Sequence, residues 1–220
     1  MSRKALIVWG GWADHDPENV AKVLERLLTQ HEFEVEVSST LDAFNDAARL
    51  QGLSLIVPHW TMGKISKEQC ANVSAAVQGG VGLAGIHGGM CDAFRESTEW
   101  QFMTGGQFVA HPGNDGTKYN VRVTTRHWIT EGISDYEVCS EQYYMHMDPA
   151  VKVLAATKFP VADGPHVPNG EVSMPVAWIK QWGKGRVFYC ALGHNAKVVE
   201  QPDTLKMTTR GFLWAANAEQ

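Results

Sequence analysis

Apolar residues recur along this chain on two periods, and the switches between them mark its elements. Lys4 to Trp9 is an apolar run that stops at Gly10-Gly11, as a buried strand does when it leaves a sheet through a turn. Asp16-Pro17 opens a helix whose Val20, Val23, Leu24, Leu27 and Leu28 fall on one face. Phe33 to Val37 alternates as a second strand, and Leu53 to Val57 is continuous and apolar, as in a strand covered on both sides. Ser66 caps a helix reaching about Val77, and Val81 to Ile86 is a further strand. Strand and helix alternating through short joins imply a parallel sheet flanked by helices.

The second half is less regular. Val121 to Thr125, Val151 to Thr157 and Val176 to Ile179 read as strands, and Gly183-Lys184-Gly185 as a hairpin turn into Arg186 to Leu192. Pro202-Asp203 starts a last helix, with Leu205, Phe212, Leu213 and Trp214 on its apolar face. The pattern predicts an α/β fold, a doubly wound sheet with an antiparallel addition near its end. No repeat or linker interrupts it, so residues 1–220 are expected to form a single domain.

The strand Val81–Ile86 ends in Gly85-Ile86-His87-Gly88-Gly89, with a polar segment, Asp92 to Trp100, where a helix can start. That is the layout of a nucleophile elbow, a sharp turn that lifts one side chain to the carboxyl edge of a sheet. Here that side chain is His87. An imidazole suits proton transfer or metal ligation, because its neutral form offers one basic nitrogen and it titrates near neutrality. Ligands of such sheets bind where strand ends converge, and five of the nine histidines, His15, His59, His87, His111 and His194, lie at or just beyond strand exits. His87 and His194 are therefore expected to share a pocket.

Other groups at these places carry candidate chemistry. Asp92 is expected in the first turn of the helix after the elbow, where a carboxylate caps backbone N–H groups or orients an imidazole. Ser140 to His146 packs a carboxylate, two phenols and an imidazole together; in a strand, Glu141 and Tyr143 share a face and can both look into a cleft. His111 precedes a proline that favours extended backbone. Gly105-Gly106 is read as a turn. Of the tryptophans at the strand exits, Trp9, Trp12 and Trp60, the one beside His59 is the candidate for stacking on a ring such as a sugar's. Trp178 and Trp214 are expected to be buried.

Composition narrows the function classes. A chain of 220 residues, 44% hydrophobic and 20% charged with net charge −5, buries a core without covalent staples. Its lysines and arginines are scattered, so nothing favours nucleic acid. The first apolar run is too short for a signal peptide or a membrane span, and a cytoplasmic location is the default. Cys70, Cys91, Cys139 and Cys190 are far apart with no C-x-x-C spacing; they read as small buried hydrophobes, not as a disulfide or zinc framework. Cys91, four residues past His87, carries a third and weaker reading, a hydrolase with this thiol as nucleophile.

Taken in order, several segments resemble the trehalose-utilisation (ThuA-like) family. They are Gly85-Ile86-His87-Gly88-Gly89 with Asp92-Ala93-Phe94, Trp100, Gly105-Gly106-Gln107-Phe108 and His111-Pro112. His127-Trp128-Ile129-Thr130-Glu131-Gly132-Ile133 is similar to that family's His-Pro-Ile-Thr-x-Gly-Ile, with Trp128 for proline, and Glu141-Gln142-Tyr143 to its Asp-Glu-x-Tyr, with Ser140 for aspartate. Pro175 to Trp178, Gly183 to Tyr189 and Leu192-Gly193-His194 complete a likeness over nearly the whole chain.

The resemblance implies a class I glutamine amidotransferase-like fold, a flavodoxin-like three-layer sandwich with a mostly parallel sheet and antiparallel additions. True amidotransferases carry cysteine at the elbow and a glutamate two residues after a later histidine. His87 and Ala196 fill those places here, which disfavours glutaminase chemistry. The family's association with sugar utilisation, where neighbouring oxidoreductases make 3-keto sugars, fits a histidine-rich site. A C3 ketone acidifies the C2 hydrogen, and a base with an enolate stabiliser can then expel the glycosidic oxygen.

The expectation is an enzyme of trehalose or related glycoside utilisation that cleaves or isomerises a 3-keto sugar, as hydrolase, lyase or isomerase. His87, Glu141 and His194 are the expected catalytic groups, with Trp60, Asp92 and Tyr143 at the substrate. His59, His87, His111, His146 and His194 are the candidate ligands for a divalent metal such as zinc or manganese, or else proton carriers. The alternative is a non-catalytic sugar- or partner-binding protein. Expected partners are a small sugar and a second copy in a homodimer, without nucleic acid or membrane.

Overall fold

In the computed structural model, which describes residues 2–219, the strands of the first part of the chain are β1 (Arg3–Gly11), β2 (Phe33–Ser38), β3 (Leu55–Thr61), β4 (Gly82–Ile86) and β5 (Gly106–Ala110). Those of the second are β6 (Lys118–Val123), β7 (Tyr136–Cys139), β8 (Tyr144–Met147), β9 (Lys152–Phe159), β10 (Val172–Trp182) and β11 (Gly185–Cys190). Nine of them form one sheet in the order β2-β1-β3-β4-β11-β10-β9-β6-β7, while β5 and β8 pair separately. From β2 to β11 every pairing is parallel, and from β11 to β7 every pairing is antiparallel. The parallel half has the flavodoxin-like order, with β11 as its fifth strand.

Helices cover both faces. The α-helices are α1 (Pro17–Gln30), α2 (Ala47–Gln51), α3 (Lys67–Gly79), α4 (Gly88–Cys91), α5 (Thr98–Thr104), α6 (Ala196–Val199) and α7 (Pro202–Ala215). α1 packs with α6 and α6 with α7 on one face, while α3 packs with α2 and α5 on the other. Val20, Val23, Leu24, Leu27 and Leu28 of α1 are buried as their spacing requires, and Pro17 sits in its first turn, where its missing N–H costs nothing. Ser66 and Gln69 close a reciprocal capping box on α3, at 3.0 and 3.1 Å. Leu55, Ile56 and Val57 are wholly buried, which explains their unbroken apolar run.

Strand direction places the site. The parallel strands end at one edge, and four successive antiparallel steps return β7 to the same direction, so Cys139 finishes at the edge where Ile86 does. The chain then enters residues 140–143 at that edge. Two expectations are corrected here. The elbow leads into a single helical turn, α4, and the longer helix starts only at Thr98, so Asp92 stands at the C-terminal end of a turn instead of in a first turn. Cys70, Cys91 and Cys190 are buried, but Cys139 is exposed on the sheet's edge strand. Among the described residues no helix is long and apolar enough to cross a membrane.

Candidate functional site

The elbow is held by hydrogen bonds to the neighbouring strand. His87 has φ 48 and ψ −139, a conformation an L-residue keeps only where its surroundings impose it. Its N–H donates to the Cys190 carbonyl at 2.7 Å, its carbonyl accepts from the Tyr189 hydroxyl at 2.8 Å, and its Nδ1 lies 2.8 Å from the Ala191 carbonyl. A carbonyl only accepts, so Nδ1 carries the proton and Nε2 presents its lone pair. The following glycines are needed for close approach: a Cβ on Gly88 would lie 2.8 Å from Thr61 Oγ1, and one on Gly89 would strike the His59 ring.

Around that lone pair the structure gathers four side chains. One ligand atom each from His15, His87, Glu141 and His194 lies within 4.8 Å of the others. Glu141 Oε2 is 3.1 Å from His87 Nε2, 3.5 Å from His194 Nδ1 and 3.8 Å from His15 Nε2. None of these approaches has hydrogen-bond geometry, so Glu141 Oε2 and His194 Nδ1 are buried without partners. The Tyr143 hydroxyl stands 2.8 Å from His87 Nε2, with its ring stacked on the imidazole, and must be the donor to that nitrogen. His15 is oriented from behind by Nδ1 against Thr61 Oγ1 at 2.9 Å.

The charges follow from this crowding. Burial raises the Glu141 carboxyl, but the approach of His194 and His87 overrides it and holds the group well below the usual carboxylate range. Glu141 in turn raises His194. His87 is lowered by burial against the pull of Glu141, and His15 is lowered by burial and by His87 to about 3. The set therefore holds one carboxylate anion facing two neutral imidazoles and one protonation-prone imidazole.

Over this set opens a cavity of about 310 Å³, lined by His15, Asp92, His111, Glu141, Tyr143 and His194, with Trp12 and Phe108 among its walls. His111 is half-buried, its ring stacked on Phe108 and its Nε2 3.6 Å from the second Glu141 oxygen. Asp92 lines the cavity with its carboxylate clamped by Arg95, at 2.6 and 2.9 Å. A larger hollow of about 830 Å³ lies beside Val123–Ile133, at the other end of the sheet, and includes none of these residues. The smaller one is the candidate site, because the unpartnered acid and bases are there.

Glu141, Tyr143, Asp92, His87, His111 and His194 thus come together at one site. Three of the sequence candidates do not join it. His59 is fully buried beneath the elbow, with both ring nitrogens unpartnered and burial lowering it to about 3. His146 is exposed on β8. Trp60 lies over Gly10, where a Cβ would be 2.6 Å from the indole, and does not line the cavity. Trp12 lines it instead, and His15, absent from the expected ligands, completes the set. Burial pushes the Cys91 thiol well up, the reverse of what a nucleophile needs. Trp178 and Trp214 are buried as expected.

Comparison with known proteins agrees with the fold. A ThuA-like protein of Parabacteroides merdae superposes with TM-score 0.76 at 17% identity, over 100% of this chain and 91% of its own. A ThuA-like protein of Bacteroides uniformis gives 0.75 at 15% identity, over 97% and 91%. A cold-adapted β-galactosidase of Rahnella gives 0.65 at 15% identity, matching 100% of this chain but 32% of that one. No curated protein matches in sequence. The family model described as "ThuA: Trehalose utilisation" matches residues 4–215, and the chain belongs to this family, whose role lies in trehalose utilisation.

Proposed function

We propose that the protein is a divalent-metal-dependent enzyme that cleaves an oxidised glycoside, a 3-keto sugar derivative, at the His15, His87, Glu141 and His194 site. The observation that carries this reading is the convergence of a buried carboxylate and three imidazoles on one point, with Glu141 Oε2 and His194 Nδ1 unpartnered. A buried carboxylate beside His15 and His87, both held toward the neutral form by burial, is stabilised by a positive charge standing between them. Three nitrogens and one carboxylate oxygen form a donor set suited to zinc or a similar ion.

A cation held there supplies a Lewis acid for a carbonyl or enolate oxygen. The chain's own groups supply the rest. His111 Nε2, at the cavity wall, takes the C2 proton that the C3 ketone has acidified, and the C2–H electron pair becomes the enolate. The enolate expels the glycosidic oxygen from C1, forming the C1–C2 double bond, and that oxygen takes its proton from the Tyr143 hydroxyl, which burial and Glu141 keep protonated. Water added back across the double bond makes the net reaction hydrolysis. Asp92, fixed by Arg95, is an acceptor for substrate hydroxyls.

The test is turnover of 3-keto-trehalose or a 3-keto-glucoside by protein purified without chelator, before and after metal removal. The reading expects turnover that chelation abolishes and a divalent ion restores. Binding of the sugar without turnover, with or without metal, would make the protein a carrier or sensor and overturn the enzyme assignment.

A further inference from the structure

The cavity walls carry information about substrate class that the four-residue set does not. Trp12 is 47% exposed although it is a large apolar side chain, and it stands on the rim of a polar cavity. Its position is fixed, since its backbone N–H donates to the Thr61 carbonyl at 3.2 Å and the short helical turn Ala13–His15 follows at once. One short segment therefore delivers an aromatic face, Trp12, a rim carboxylate, Asp14, and a member of the buried set, His15. Across the cavity, residues 108–115 supply Phe108, Asn114 and Asp115. Below them Glu141 Oε2, buried and unpartnered, lines the same space.

Carboxylates outnumber cationic side chains on these walls. Asp14, Asp92, Asp115 and Glu141 line the cavity against a single guanidinium, Arg95, and that cation is committed to Asp92 through two hydrogen bonds. Asp115 and Asp14 are close enough to His194 to favour its charged form. A flat indole beside carboxylate and amide acceptors matches a ring with one apolar face and a rim of hydroxyl donors. Apart from His194 and the ion proposed beside Glu141, the walls offer no uncommitted cationic side chain to a phosphate or a sugar carboxylate.

We infer that Trp12 is the stacking platform for an uncharged pyranosyl unit, and that Asp14 and Asp115 both accept its hydroxyls and reject anionic sugars. This rests on the proposed function, because it takes the same cavity as the substrate site. The attraction and the repulsion are separable: the ring face binds through the indole, and discrimination comes from like charge placed against the wrong ligand.

The test is ligand-observed NMR titration of the intact protein, with and without added zinc, using methyl α-D-glucopyranoside, trehalose, glucose 6-phosphate and trehalose 6-phosphate. The metal-free wild-type protein should bind each neutral sugar more tightly than its phosphate, by about tenfold, a preference that added zinc narrows. Trp12→Ala should weaken the neutral sugars by about three- to tenfold, with Trp12→Phe between it and wild type. Asp14→Asn with Asp115→Asn should narrow the gap between neutral and phosphorylated forms. Equal binding by wild type and both Trp12 variants, or tighter binding of the phosphates by metal-free wild type, overturns this inference and leaves the enzyme reading standing. If no sugar binds to the wild-type protein, with or without zinc, this inference falls, and turnover of the 3-keto-glucoside decides the enzyme reading separately.

Discussion

The two ends of the sheet treat their histidines in opposite ways. At the carboxyl edge, His87, His194 and His15 turn ring nitrogens toward Glu141, and two of the atoms involved, Glu141 Oε2 and His194 Nδ1, have no partner at all. At the other end, beside Val123–Ile133, His127 closes a helical turn: its Nδ1 accepts from the Ile129 N–H at 3.2 Å, and its own N–H donates to Thr130 Oγ1 at 3.1 Å. Thr130 also donates to the Thr125 carbonyl, and Arg210 reaches the Glu131 carbonyl from α7. Both segments carry the family resemblance. The difference teaches that a conspicuous histidine motif serves packing where its polar atoms are satisfied locally, and becomes a candidate for chemistry where they are left facing one another.

That contrast can be broken by substitution. Glu141→Gln keeps the shape of the side chain and removes the anion that the imidazoles face. We expect it to lower turnover of a 3-keto-glucoside by about 10³-fold, the equivalent of several kcal/mol, and to lower bound metal measured by mass spectrometry. Wild-type rates and metal content in this variant would dissolve the distinction between the two ends. Tyr143→Phe removes only the hydroxyl at His87 Nε2 and is expected to cost about 10² in kcat while metal content holds.

The buried bases also set a pH dependence. Burial lowers His59 from 6.5 to about 3, so between those values the unfolded chain takes up a proton that the folded chain refuses. Stability therefore falls as pH drops below 6.5, by about 1.4 kcal/mol per pH unit from this residue. His15 acts in the same direction, whereas raised His194 contributes stability at low pH that is lost as pH rises through its folded value. Urea unfolding of metal-free protein at pH 7 and pH 5.5 should show the loss, and His59→Gln should flatten it. A slope that His59→Gln leaves unaltered would remove His59 as its source.

The smallest effect belongs to the other end. His127→Ala should cost about 1 kcal/mol through loss of its cap, read as a drop of about 2–4 °C in Tm, with kcat and metal content unchanged. A loss of turnover larger than that stability change explains would give the His127 segment a part in the chemistry.

How far the sequence shows these features varies with the kind of contact. The parallel half was legible because β1, β3 and β4 are covered on both faces and so carry unbroken apolar runs between capped helices. β5, β7 and β8, each of four or five residues, were not, since short half-exposed strands have too few positions to show a period. At the site, His87 and His194 followed from strand exits, whereas Glu141 and Tyr143, expected on one face of a strand, reach the cavity from the irregular segment that precedes β8. His15 was visible as a strand-exit histidine but had no local partner in sequence, because its orienting group, Thr61, is 46 residues away. Trp60 drew attention through its neighbour His59. Register sets Trp60 opposite Gly10 and Thr61 opposite Gly11, so the indole fills the space above a glycine and the rim is left to Trp12.

The central claim is that a divalent cation neutralises the acceptors gathered around Glu141. Its most direct test is calorimetric titration of zinc and manganese into chelator-treated wild-type protein, with Glu141→Gln in parallel and Tm followed throughout. The claim expects one ion per chain and a Tm that rises with metal, by an amount corresponding to about 2.7 kcal/mol at a hundredfold excess over Kd, with both effects lost in the variant. Wild-type protein that binds neither ion, keeps its Tm and turns over a 3-keto-glucoside after exhaustive chelation would contradict it.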